Sequence, residues 1–319
     1  MNAGVPVLAT GGGGQLGHFL AEVARGGAIA LGRGEMDLTQ PASIAAALDQ
    51  HAPRVVINAA AYTDVDGAES DEAAARAVNT EGVESLALAC RDRGIRLIHI
   101  STDYVFSGQV PGGGDPATAP GLEPEDPAAP TTVYGRTKLE GEHAATSAYP
   151  ETTIVRTAWV YTGPERLGRG LSGSDFVATM ARLERERDTI SVVADQWGSP
   201  TYAWALANGL VELVSAETGS GPNAGDRPLA VDTRGRTLHL SGAGRTTWHG
   251  LARSVFEGLG ADPDRVRACT TEEFPRPAPR PGFSVLSTAS WEAAGLAPMD
   301  RWETDLAAAL VEGRTPQRR

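Results

Sequence analysis

Tyr134-Gly-Arg-Thr-Lys138 sets a phenol and an ammonium four residues apart, where helix-like spacing begins. Positions i and i+4 share one helix face, so both groups reach the same space. A free tyrosine titrates near ~10, and a neighbouring ammonium favours the phenolate. The pair therefore predicts a Tyr134 of lowered pKa that passes a proton near neutral pH, with Lys138 as its tuner. Lys138 is the single lysine among 28 basic residues. A GC-rich genome replaces lysine by arginine wherever charge alone is needed. A lysine kept in such a chain points to work a guanidinium does not do, such as losing a proton or acting as a compact donor. The competing reading is a chance Tyr and Lys on a solvated face.

Two further stretches belong with this pair. In Ser101-Thr-Asp-Tyr-Val-Phe106, Thr102 offers a hydroxyl to a carbonyl oxygen gathering negative charge; the plain alternative is a Thr-Asp turn. Thr10-Gly-Gly-Gly-Gly-Gln-Leu-Gly17 carries Gly11-x-x-Gly14-x-x-Gly17 between an apolar run and a helical stretch. Glycines there allow a tight turn and a close approach of backbone to pyrophosphate. The helix N-terminus adds free N–H groups and the positive end of its dipole. The pattern predicts a dinucleotide site, against a merely flexible turn. Beyond the second expected strand the first charged side chain is Arg33, ahead of Glu35 and Asp37. An Arg at this place accommodates a 2′-phosphate, so NADPH is the expected cofactor, with NADH still accepted.

The elements that must position these residues alternate. Strands are expected at Val5–Thr10, Ala28–Leu31, Val55–Asn58, Arg96–Ser101 and Thr152–Arg156, with helices at Gln15–Arg25, Pro41–Gln50, Asp71–Arg91 and Tyr134–Ser147. Strand–helix alternation with uninterrupted apolar strands means a parallel sheet covered on both faces. The fold class is α/β, a Rossmann-like doubly wound parallel sheet followed by a smaller, irregular C-terminal substrate-binding region. The expected division is 1–160 for the dinucleotide and 161–319 mainly for the substrate, part of which returns to the sheet. Later helices are expected at Asp175–Arg187, Tyr202–Ser215, Trp248–Leu259 and Glu303–Glu312, and a strand at Thr237–Leu240. Eleven of the 25 residues from Gly108 to Thr132 are Gly or Pro, a density no helix or strand survives. This segment reads as a flexible loop, either a flap over the site or an expansion without a role.

Composition limits what such a chain does. Its 319 residues carry 28 Lys and Arg against 40 Asp and Glu, a net charge of −12, which argues against nucleic acid or an anionic membrane as partner. No apolar run approaches a membrane span, and no signal peptide is visible. Two cysteines, Cys90 and Cys269, make neither a disulfide framework nor a four-thiolate metal site. A cytoplasmic protein is expected.

Gly11 to Gly17 together with Tyr134-x-x-x-Lys138 resembles the extended short-chain dehydrogenase/reductase superfamily. The resemblance narrows with Asn58-Ala-Ala-Ala-Tyr-Thr-Asp-Val-Asp66, Ala68-Glu-Ser70, Ser101 to Gly108, Val133 to Gly141, Arg156-Thr-Ala-Trp-Val-Tyr161, Asp195-Gln-Trp-Gly-Ser-Pro200, Thr246-Thr-Trp-His249 and Arg280-Pro-Gly282. In this order over nearly the whole chain, they are similar to the dTDP-4-dehydrorhamnose reductase family. The resemblance implies NAD(P)H-dependent reduction of the C4 keto group of a dTDP-linked keto-sugar. It implies Gly14, Gln15 and Leu16 at the pyrophosphate, Asp37 and Leu38 by the adenosine, and Ala61, Tyr62 and Thr63 flanking the nicotinamide. Tyr134 is then the acid, Lys138 its tuner and ribose ligand, and Thr102 the oxyanion partner, while Asp103 and Trp159 contact the nucleotide-sugar. Some members hold a Mg2+ on glutamates at a dimer interface. Glu186 and Glu303 fall in matching places, but Phe19 stands where another Glu is expected, which argues against the metal. A homodimer is compatible with the reading. Two alternatives stay open: a 4,6-dehydratase or epimerase on the same scaffold, disfavoured by Tyr104 where a dehydratase carries Glu, and a non-catalytic regulatory subunit like the beta subunit of methionine adenosyltransferase.

Overall fold

The computed structural model describes residues 7–24, 26–164, 175–219 and 229–311. Five strands, β1 (Val7–Thr10), β2 (Ala28–Leu31), β3 (Val55–Asn58), β4 (Arg96–Thr102) and β5 (Thr153–Thr157), join Thr237–His239 in one six-stranded sheet. The order is β2-β1-β3-β4-β5 and then Thr237–His239, every pairing parallel. Alternate residues of these apolar strands supply opposite faces. Leu8, Val56, Leu97 and Ile154 enter one core, and Val7, Ala9, Ile57, Ile98, Ile100 and Val155 the other. Helices α1 (Gln15–Val23) and Ala203–Thr218 cover the second core; α2 (Pro41–His51) and two later helices cover the first. A doubly wound sheet follows. Its order reverses at β1, the place where such sheets bind ligands beyond the carboxyl ends of their strands.

The expected helix Asp71–Arg91 is helical from Glu72 to Arg93 but not uniform. It runs as α3′s neighbour in sequence: α3 (Val65–Ser70), capped by Asp64, is followed by α4 (Glu72–Arg76), a wide π turn (Ala77–Glu81) and α5 (Gly82–Arg93). The cause lies in packing against α6 (Val133–Ala148). A Cβ on Gly141 of α6 would stand 1.9 Å from the Asn79 carbonyl oxygen. The wide turn admits α6 at that distance, and it aims the buried Asn79 carboxamide at Tyr62, accepting from its N–H at 2.9 Å and donating to its carbonyl at 3.2 Å. Side-chain period alone carries no sign of a π turn.

Residues 108–132 hold no strand or α-helix, yet the expected flexible loop is pinned along its length. Leu122 N–H donates to Val285 O at 2.8 Å, the Arg245 guanidinium to Ala119 O at 2.5 Å, and the Arg156 guanidinium to Pro124 O at 3.1 Å. Ala119 and Leu122 are buried with Phe106, Phe283, Val285 and Leu286. Local Gly and Pro set the absence of helix; the order comes from partners outside the segment, Arg156 32 residues from Pro124 and Arg245 126 from Ala119. Short strand pairs also escape a periodicity reading: Val160–Tyr161 with Thr201–Tyr202, Trp197–Gly198 with Thr246–Thr247, and Ile190–Val193 with Val266–Cys269. Phe19 is fully buried, edge-on to Tyr202, while Glu186 pairs with Arg182 and Glu303 with Arg301.

Candidate active site

A cavity of about 740 Å³ opens beyond the carboxyl ends of β1, β3 and β4. Gly11, Gly14, Gln15, Leu16, Arg33, Asp37, Leu38, Ala61, Tyr62, Thr63, Thr102, Asp103, Tyr134, Lys138 and Trp159 all line it. Residues 90 and more apart in sequence thus meet as the motif reading requires. None of the lining residues comes from 108–132.

One end of the cavity is the glycine turn. Gly11 adopts a φ of 72°, and a Cβ on Gly12 would stand 2.6 Å from Ala30 O. A Cβ on Gly17 would stand 2.3 Å from Gly11 O. Backbone packs on backbone, which only glycine allows. Helix α1 starts at this turn without a side-chain cap and without an acidic residue in its first turn. Its N-terminal N–H groups and dipole therefore face the cavity free of any built-in carboxylate, a cradle suited to an anionic diphosphate. The residues present fit a dinucleotide. Arg33, 79% exposed, lies with Nε 3.2 Å from Asp37 Oδ2. Asp37 Oδ1 accepts from Thr39 N–H at 2.9 Å and Thr39 Oγ1 at 2.8 Å. These bonds hold the Asp37 carboxyl below its ordinary range.

In the middle stand Thr102, Asp103, Tyr134 and Lys138. Thr102 ends β4 and donates to Asp103 Oδ1 at 2.9 Å. Burial pushes the Asp103 carboxyl up to about 6, against hydrogen bonds from Ser284 and Thr102, and its Oδ2 is buried without a protein partner. Helix α6 begins under a Thr132 cap, Oγ1 accepting from Gly135 N–H at 2.9 Å, and presents Tyr134 one turn before Lys138. Here the sequence reading needs correction. Burial pushes the Tyr134 phenol up to about 12, with a Thr102 hydrogen bond working against it. Lys138 does not lower it. The ammonium is directed into the sheet, donating to Ile100 O at 2.7 Å, and burial brings it down to about 8. Tyr134 is thus a neutral phenol at physiological pH. Tyr104 packs edge-on against it at 5.5 Å between ring centroids, and burial raises that phenol too.

The far end is aromatic. Trp159 adopts a φ of 46°, a left-handed conformation rare for a bulky residue. Its indole lies flat on Trp248, 3.5 Å between centroids and 7° between planes, with Phe176 4.6 Å from Trp248. Gly198 makes the room, since a Cβ there would stand 2.3 Å from Trp159 Cε2. Trp248, Phe176, Tyr104 and Ser101 also line the cavity, as does Asp175, which caps the helix Phe176–Glu186. The sequence reading assigned these no role. Trp248 begins a helix and Gly198 ends a two-residue strand, and no local spacing ties either to Trp159.

The family model described as RmlD substrate binding domain matches residues 5–315. A dTDP-4-dehydrorhamnose reductase of Mycobacterium tuberculosis (strain ATCC 25618 / H37Rv) is 48% identical over 96% of this chain and 92% of its own length. A dTDP-4-keto-6-deoxy-D-glucose reductase of Streptomyces niveus is 40% identical over 95% of this chain and 96% of its own. Among solved structures, the dTDP-4-dehydrorhamnose reductase of Bacillus anthracis in complex with NADP superposes with a TM-score of 0.79 at 31% identity, covering 94% of this chain and 96% of that one.

Proposed function

This chain belongs to the RmlD substrate binding domain family, and on that premise we propose that it reduces the C4 keto group of a dTDP-linked 4-keto-6-deoxyhexose, dTDP-4-dehydro-L-rhamnose or a related deoxysugar, with NADPH. NADH serves as a poorer cofactor. The observation that carries the reading is the meeting of Thr102, Tyr134 and Lys138 in one cavity with the uncapped start of α1. No helix among the described residues is long and apolar enough to cross a membrane, and the cytoplasm is the proposed place of the reaction.

The chain's own residues divide the labour. Gly14, Gln15 and Leu16 hold the pyrophosphate on the helix dipole. Ala61, Tyr62 and Thr63 flank the nicotinamide, their backbone fixed by the Asn79 carboxamide. When bound, NADPH supplies a hydride to C4. Tyr134 enters as a neutral phenol and gives its proton to the C4 oxygen as charge develops there, and the Thr102 hydroxyl, turned away from Asp103 Oδ1, donates a second hydrogen bond to that oxygen. A phenol held near 12 suits the reducing direction, since it is fully protonated at the start. Lys138 binds the ribose, and Trp159 and Asp103 face the sugar. The dehydratase alternative needs a carboxylate base after Asp103. Tyr104 there is a half-buried, uncharged phenol.

Purified protein should oxidise NADPH when given dTDP-4-dehydro-L-rhamnose. Tyr134→Phe should bind NADPH normally and lose about 10²–10⁴-fold in kcat. A variant keeping more than about half the rate removes Tyr134 from the reaction.

A further inference from the structure

Four polar side chains lie in a line beneath the cavity, each fully or almost fully buried: Thr10, Asn58, His99 and Lys138. They come from β1, β3, β4 and α6. Ala60 N–H donates to Thr10 Oγ1 at 3.0 Å, Thr10 Oγ1 to Asn58 Oδ1 at 2.6 Å, Asn58 Nδ2 lies 3.0 Å from His99 Nδ1, and His99 Nε2 lies 3.4 Å from Lys138 Nζ. Buried polar groups are costly unless each is satisfied. A row of four across the centre of a parallel sheet asks for a reason.

The valences of the row supply one. With the Thr10 proton on Asn58 Oδ1, the Asn58 amide donates to Nδ1. The imidazole proton then sits on Nε2 and points at Nζ. That order suits an uncharged amine, whose lone pair accepts it. An ammonium has no lone pair, so binding it requires the opposite order. The Asn58 amide then donates to Thr10, its oxygen accepts from Nδ1–H, and the bare Nε2 accepts from Nζ. One proton enters and ends on Nζ, while the imidazole exchanges its own proton from Nε2 to Nδ1.

We infer that His99 is a positioning residue for Lys138, and that the Thr10–Asn58–His99 row reverses its hydrogen bonds as Lys138 gains or loses its proton. The inference rests on the proposed reductase only in giving Lys138 a catalytic duty. The ring stays neutral throughout, because burial and the adjacent Lys138 hold His99 well below its ordinary range. The other ionisable groups facing this space leave it that role. Glu142, one turn beyond Lys138, is paired with Arg156 at 2.7 Å. Tyr134 and Asp103 lie at the cavity end of Lys138 and are described above.

The lone lysine makes the test clean. Protein labelled at the lysine ε position gives one side-chain NMR resonance, titrated in the full chain without cofactor or substrate. Its midpoint is expected near 8. Across that midpoint the His99 Nε2 nitrogen should pass from protonated at high pH to unprotonated at low pH. An Nε2 that keeps one form throughout overturns the inference. In His99→Phe the lysine midpoint should fall by about one pH unit as its acceptor is lost, and in His99→Gln it should return most of the way. A midpoint unmoved in His99→Phe, or one that rises, also overturns it. If His99→Phe does not fold, the wild-type Nε2 titration decides alone. These readouts need no turnover, so absence of keto-sugar reduction by wild type would remove the proposed activity and leave this test standing.

Discussion

At the glycine turn, position is enforced by backbone against backbone: Gly12 meets Ala30 O and Gly17 meets Gly11 O at distances that admit no Cβ. At the far end of the same cavity, Trp159, Trp248 and Phe176 hold one another by ring contact. The first wall is set by neighbours in sequence and by strand register, and it has no slack. The second is assembled from short strands and helix starts, and aromatic rings can shift and restack. Interiors respond to added volume by strain, whereas an aromatic pair contributes a modest amount beyond its burial. The turn and α6 are therefore expected to decide whether reduction occurs, and the aromatic wall how well a particular sugar fits.

Lys138→Arg should produce the largest effect of those that probe this contrast. Lys138 is 2% exposed and its Nζ is committed to Ile100 O. A longer, planar guanidinium does not fit that slot, and misplacing a catalytic group by ~1 Å costs about 10²-fold in rate. Retained charge with near-normal kcat and NADPH Kd would show that the slot tolerates change. Next comes Gly17→Ala. The new methyl strikes the Gly11 backbone, at a strain cost of about 1–3 kcal/mol. Expressed in NADPH affinity that is roughly 5–150-fold, readable by fluorescence titration beside a lowered Tm. Gly34→Ala is the control, since nothing lies within 4 Å of its Cβ position. An equal loss in both would break the argument from close approach. Trp248→Ala should be milder. Losing the ring pair costs about 0.5–1.5 kcal/mol, a twofold to twelvefold rise in KM for the keto-sugar, with NADPH Kd unchanged. If NADPH affinity falls instead, the two walls are not separable.

The same contrast separates what was legible in the sequence from what was not. The six parallel strands, α1, α6 and the residues Gly11, Gly14, Arg33, Thr102, Tyr134 and Lys138 follow from apolar runs, helix starts and spacing, all local properties, whereas Gln15, Leu16, Asp37, Leu38, Ala61, Tyr62 and Thr63 came only with the family resemblance. Lys138 drew attention by its spacing from Tyr134 and as the single lysine of the chain. Its direction did not follow: i+4 spacing says that Tyr134 and Lys138 share a face, and says nothing of Ile100 O and His99 waiting in β4. The tuned phenol was therefore the wrong inference, and burial raises it instead. Gly and Pro density in 108–132 correctly excluded helix and strand, but order there depends on Val285, Arg245 and Arg156. The stacking of Trp248 on Trp159 and the π turn at Asn79 have no local signature, because each answers to a partner distant in the chain.

The smallest expected effect lies at the exposed rim of the first wall and concerns cofactor choice. An acidic residue after the second strand binds a ribose 2′-hydroxyl, and an Arg accommodates a 2′-phosphate. Both are present here, and the structure shows how they are committed. Asp37 spends Oδ1 on Thr39, and Glu35 Oε2 accepts from Gly32 N–H at 2.9 Å. Each carboxylate thus has one oxygen engaged by a near neighbour, and Asp37 Oδ2 is held by Arg33 itself. Among the described residues Arg33 is held by Asp37 Oδ2, in a pair whose guanidinium is 79% exposed, and such pairs are worth about 0–1 kcal/mol. A guanidinium–phosphate contact is worth about 1.5–3 kcal/mol. The difference, about 1–2 kcal/mol, favours turning Arg33 to the phosphate and corresponds to roughly fivefold to thirtyfold in affinity. NADPH should therefore surpass NADH in kcat/KM by that order in wild type, and Arg33→Ala should bring the ratio close to one by weakening NADPH alone. A wild type that prefers NADH, or a ratio untouched by the substitution, would return the 2′ position to Asp37 and leave Arg33 as a rim charge.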